Sequence, residues 1–139
     1  MDDLIPQTTG QHYTGRCHCG SVTFACEGPL HPIVICHCLD CLRIAGMSWG
    51  ATSAAHDLFR ITKGEEMLDW YASSDFAKRG FCKTCHAQMF YQLADSDRIS
   101  IAPGMLENHD GLYSKGHIFR DSLPACCVHD DTLPDIERY

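Results

Sequence analysis

Gly15-Arg16-Cys17-His18-Cys19-Gly20-Ser21-Val22 and, far along the chain, Arg79-Gly80-Phe81-Cys82-Lys83-Thr84-Cys85 carry the reading on which the fold turns. Cys17 and Cys19 stand one residue apart, too close to bridge each other without strain. They can readily present two thiolates to one metal ion. Cys82-Lys83-Thr84-Cys85 is a Cys-x-x-Cys, the common half of a tetrahedral zinc site. A structural zinc site takes four thiolate or imidazole ligands and leaves no vacancy, and the two pairs together supply four. One ion shared by both would tie an N-terminal turn to a late hairpin and so contribute directly to folding.

Outward from these pairs, short apolar runs alternate with turn signals. Residues 21–26 read as a strand ended by Glu27-Gly28-Pro29, and Ile33-Val34-Ile35 is a β-branched run leading into Cys36. Residues 58–62, 67–71, 77–81, 88–93 and 98–102 read as further strands, with Trp70 and Tyr71 as large packing residues, and 117–120 as a late strand. Residues 40–47 have a helical look, ended at Gly46. Residues 1–14 read as a polar lead-in, and the acidic tail after Pro124 as a surface loop. The pattern predicts a mainly β, single domain over 1–139, with a motif-bearing core at about 15–106 and a late segment at about 117–134 packing onto it.

Eleven basic against 18 acidic residues leave a formal charge of −7, which excludes the basic footprint of a nucleic-acid binder. No apolar run approaches the roughly 18 residues of a membrane span. Met1-Asp2-Asp3-Leu4-Ile5-Pro6 has neither the basic nor the apolar region of a signal peptide, which points to a reducing cytoplasm. There, ten cysteines and nine histidines read as ligands or nucleophiles rather than as the disulfides of a secreted protein. A homodimer would suit an acidic β domain of this size.

Cys36, Cys38 and Cys41 put three thiolates within six residues. Three protein ligands and one open position is the arrangement of catalytic zinc, where water or a substrate thiol binds and is activated. A fourth ligand from Cys26, a nearby histidine or Cys126 would instead close the site. An iron–sulfur cluster would ask for a different spacing. His37, Asp40 and His56 are candidates to move a proton, by proximity in sequence. Arg43 and Arg79 could pair with a substrate carboxylate. Trp49 and Phe81 could line a pocket, with core packing as the alternative for each. Cys26 reads as a small hydrophobe buried on a strand, and Cys126 and Cys127 as surface or half-buried thiols.

Taken in order, the Cys17–Cys19 motif, Cys36-His37-Cys38-Leu39-Asp40-Cys41-Leu42-Arg43 and the Cys82–Cys85 motif resemble the glutathione-dependent formaldehyde-activating enzyme family, which includes the centromere protein V type domain. The likeness runs from about Gly15 to Leu106, with a weaker echo at 117–134. It implies a β-tent fold of short antiparallel strands with two zinc ions. Cys17, Cys19, Cys82 and Cys85 would hold the structural one, and Cys36, Cys38 and Cys41 the catalytic one. It implies carbon–sulfur lyase chemistry, in which a small thiol such as glutathione adds to an aldehyde such as formaldehyde, or the reverse. The chain departs from the family pattern at His86-Ala87, where Gly-Thr is usual, and at Leu123-Pro124-Ala125-Cys126-Cys127, where a Pro-Trp pair is common. Three other readings stand beside this one: a zinc lyase or hydratase of the same fold on a different small substrate, a non-catalytic zinc-binding interaction module, and a thiol redox protein.

Overall fold

β-branched and aromatic side chains suit a pleated, half-buried surface, and most of the apolar runs become strands. The structure is a computed structural model that describes residues 3–137, so the outermost residues of the expected lead-in and tail lie outside the described residues. Among the described residues the strands are β1 (His12–Arg16), β2 (Thr23–Glu27), β3 (Ile33–Cys36), β4 (Trp49–Ala55), β5 (Phe59–Lys63), β6 (Leu68–Ala72), β7 (Ala77–Cys82), β8 (Gln88–Leu93), β9 (Arg98–Ile101) and β10 (Ser114–Ile118). Among the described residues the one α-helix, α1 (Leu39–Ala45), joins β3 to β4, with short 3-10 turns elsewhere. The protein is mainly β, as the sequence predicts. Among the described residues no helix is long and apolar enough to cross a membrane.

A three-stranded sheet has the order β1-β2-β5, and a seven-stranded sheet the order β10-β3-β4-β9-β8-β7-β6. The pairs are antiparallel except β10 with β3, which is parallel. The antiparallel sheets agree with the expected fold class, and the β10–β3 pair adds one parallel edge to them. A parallel pair needs a long crossover, and here most of the second sheet is laid down between its two members.

The core lies between the sheets. Phe24 of β2 and Phe59 of β5 meet Phe90 of β8 edge-on, with ring centroids 5.1 and 5.3 Å away. Each such aromatic pair contributes about 0.5–1.5 kcal/mol beyond its buried area. Trp70 stacks on the same Phe90 ring at 6.3 Å. Tyr71, expected to pack, is 56% exposed, because alternation along β6 turns it outward.

The polar lead-in is built into the fold. Ile5, Thr8 and Tyr13 are buried, β1 pairs with β2, and the Tyr13 hydroxyl donates to the Asp110 carbonyl over 2.6 Å. β4 carries mostly small residues with no strand signature, yet β3 and β9 pair on either side of it. The late strand ends at Ile118, where Phe119 takes a left-handed conformation with φ 58°. The tail after Pro124 is irregular and mostly exposed, as expected, and is pinned along β10: His117 N–H donates to Pro134 O and Ile136 N–H to His117 O, each over 2.9 Å.

Candidate active site

Cys17 and Cys19 lie in the turn after β1, Cys82 closes β7, and Cys85 follows in the next turn. The four sulfurs lie within 4.8 Å of one another. The Cys17–Cys19 and Cys19–Cys82 separations are both 3.7 Å. With Zn–S bonds of about 2.3 Å, the edge of a regular tetrahedron is about 3.8 Å. Backbone N–H groups face the sulfurs: Val22 toward Cys17 at 3.4 Å, and Thr84 and Cys85 toward Cys82 at 3.4 and 3.5 Å. Hydrogen bonding with Ser21 draws the Cys19 thiol down to about 6. The donor chemistry, the spacing and the N–H groups all fit a bound thiophilic cation.

The second group sits where β3 passes into α1. Cys36 ends the strand and Cys38 is the helix N-cap, its sulfur accepting from the Cys41 N–H at 3.4 Å. Cys41 lies one turn on. The same local geometry that starts the helix thus gathers the three sulfurs, which lie within 4.8 Å of one another. Among the described residues no fourth histidine, cysteine or carboxylate ligand atom joins them. Arg79 of β7 reaches across and donates from its two terminal nitrogens to Cys41 Sγ at 3.5 and 3.6 Å, and from Nε to Ser73 Oγ at 3.2 Å. Its side chain is 3% exposed and lies over the Tyr91 ring at 5.1 Å. The Cys41 thiol is drawn down to about 6, first by its hydrogen bond with Cys36 and further by Arg79; the Cys36 thiol is raised by the same hydrogen bond and by burial.

Cys36, Cys38 and Cys41 all line a cavity of about 980 Å³. Trp49, Arg79 and Asp40 also line it, Asp40 from an exposed position. The other residues singled out by the sequence do not. Arg43 is exposed on the outer side of α1, His56 is exposed in the turn after β4, and Phe81 is half-buried away from the cavity. His37, the residue just after β3, is buried away from this cavity, bonded to Ser48 and His117. His31, Tyr91 and Arg98 also line the cavity, and no motif marks them. Arg98 donates to Ser53 Oγ at 2.8 Å and to the carbonyls of Ser53 and Pro29 at 2.7 and 3.3 Å. Burial lowers the pKa of His31 and raises that of Tyr91.

The model of the glutathione-dependent formaldehyde-activating enzyme family matches residues 12–122, from the start of β1 to the turn beyond β10. The chain belongs to this family. A crystal structure of a Rhodobacter sphaeroides protein, a structural genomics target, is similar at 27% sequence identity with a TM-score of 0.57; the match covers 68% of this chain and 88% of that one. Both sulfur groups of this formaldehyde-activating family member lie inside the matched region. The family's usual glycine after the late Cys-x-x-Cys has a physical reason here: His86, in its place, is held at φ 63°.

Proposed function

We propose that this protein is a zinc-dependent carbon–sulfur lyase of the reducing cytoplasm. It joins a small glutathione-like thiol to an aldehyde such as formaldehyde, or cleaves the adduct. The observation that carries this reading is the three-sulfur group of Cys36, Cys38 and Cys41 on the wall of the large cavity. Cys17, Cys19, Cys82 and Cys85 would hold one zinc as a closed site, and Cys36, Cys38 and Cys41 a second with one position open. Zinc in the open site supplies a Lewis acid that lowers the pKa of a substrate thiol.

The chain's own residues do the rest. Arg79 lies against Cys41 and offsets the negative charge of three thiolates. Trp49, Tyr91 and Phe76 wall the cavity, hold the two reactants together and exclude water. In the forward direction one S–C bond forms, the carbonyl π pair moves onto oxygen, and the thiol proton ends on that oxygen. The reverse direction breaks the S–C bond and returns the proton. Asp40, on the cavity rim, is the proposed carrier of that proton, since neither His37 nor His56 lines the cavity.

Cys38→Ser tests the assignment. Adduct formation from glutathione and formaldehyde should fall by about 100-fold or more, with the Cys17–Cys19–Cys82–Cys85 group still holding its metal. Unchanged turnover would sink the assignment.

A further inference from the structure

Alternation along an extended chain separates two faces at the second sulfur group. Val34, Cys36 and Cys38 face the large cavity, whereas Ile35 and His37 face a smaller one of about 250 Å³ on the other side. His37 and His117 line that smaller cavity, and each is 1% exposed. His37 is held at three points: Nδ1 is 2.5 Å from Ser48 Oγ, Nε2 is 2.8 Å from His117 Nδ1, and its backbone N–H donates to Ile118 O over 3.0 Å. His117 Nε2 lies 2.8 Å from the Asp130 carbonyl oxygen.

A carbonyl only accepts, so His117 Nε2 carries a hydrogen. With both rings neutral, one arrangement satisfies every partner. His117 Nδ1 accepts from His37 Nε2, and His37 Nδ1 accepts from the Ser48 hydroxyl. The ring of the residue between two sulfur ligands is thereby fixed from both ends, and its backbone from a third side. Rotating the backbone to release His37 would swing the flanking Cys36 and Cys38 sulfurs with it.

We propose that His117 is a positioning residue for the Cys36–Cys38–Cys41 metal site, acting through the His37 ring that it holds. The inference rests on the reading that this group binds metal. It gives the late segment a role in the site: β10 and the tail bound along it keep the two sulfurs of β3 and the N-cap aimed into the cavity. Groups that orient a metal site from behind its ligands typically change affinity by about 10- to 100-fold.

The test is metal retention by the full-length, zinc-loaded protein against a graded chelator, read by elemental mass spectrometry. The wild type should release zinc in two steps, and Cys38→Ser identifies the step of the three-sulfur site. The four-sulfur site in the same molecule reports intact folding. Three substitutions separate the two contacts of His117. Phe removes both. The Asn amide reaches only as far as Nδ1, and so keeps the bond to His37. The Gln amide reaches the Nε2 position, and so keeps the bond to Asp130. His117→Phe and His117→Gln should weaken the three-sulfur site by about tenfold or more, with His117→Asn near wild type and the four-sulfur step unmoved in all three. Unchanged affinity in His117→Phe would overturn the proposal. So would retention by His117→Gln with loss in His117→Asn, or equal loss from both sites in every variant. If the wild type binds no metal at Cys36, Cys38 and Cys41, it is the reading of that group as a metal site that fails.

Discussion

Cys26 stands on β2 at 2% exposure, and burial alone pushes its thiol up to about 11 from the ordinary 9.0. Folding therefore favours the neutral thiol. Its contribution to stability is complete below pH 9 and is lost as pH rises through about 11. At pH 8.5 iodoacetamide should spare Cys26 while modifying exposed Cys126, as read by peptide mass spectrometry; rapid labelling of Cys26 in folded protein would contradict its burial. His86 is a second case. A side chain at φ 63° costs about 1–2 kcal/mol relative to glycine, so His86→Gly should raise the unfolding free energy of metal-loaded protein by about 1 kcal/mol, measured by urea titration. No gain would mean that contacts of the His86 side chain offset the strain. At this scale the sulfur groups were legible, because metal ligands must be close and short spacings record that closeness. Tyr91, Arg98 and His31 were not. Tyr91 and Arg98 reach the cavity because β8 and β9 lie beside β4, and His31 because the segment before β3 is bonded to Thr52 and Ser53 of β4; long-range pairing leaves no local mark in the sequence.

Among the elements, the same contrast has a backbone cause. β2, β5, β7 and β8 announce themselves through alternating or aromatic residues, and α1 through its left-handed glycine cap at Gly46 (φ 88°). β1 has Tyr13 as its one large buried residue, and β4 is built of small residues, so their pairing is imposed by neighbours rather than by propensity. Gly15 shows what β1 needs instead. It lies opposite Phe24, and a Cβ there would stand 2.3 Å from the Phe24 ring and 2.7 Å from the Met105 carbonyl oxygen. Gly15→Ala should therefore destabilise the protein by about 1–3 kcal/mol, seen as a lower urea midpoint. Gly104→Ala, where a Cβ meets nothing within 4 Å, is the matched control and should be close to neutral. Equal midpoints for the two variants would refute the close approach of β1 to the core.

For the whole molecule, the decisive fact is where the two sulfur groups stand relative to the two sheets. Cys17 and Cys19 continue β1 of the three-stranded sheet, and Cys82 ends β7 of the seven-stranded one, so a metal held by these residues fastens one sheet to the other. The loop it closes between Cys19 and Cys82 spans 63 residues. By the loop-entropy relation for a cross-link of that length, the constraint of a bound metal would alone contribute about 4 kcal/mol, a large part of the roughly 5–15 kcal/mol by which domains are stable. Cys36, Cys38 and Cys41 lie along one strand end and one helical turn, and their metal would close only a short local loop. The two sites should therefore part in their effect on stability. Cys82→Ser should lower the thermal midpoint by about 10 °C and also cost activity, because the wall that carries Arg79 is set by the joint between the sheets. Cys38→Ser should lower the midpoint much less and still abolish turnover. Differential scanning calorimetry of both variants, each loaded with zinc under the same conditions, decides the matter. Equal losses of stability would mean that the four-sulfur site is not the joint between the sheets, and that the aromatic contacts of Phe24, Phe59 and Phe90 hold them together without it.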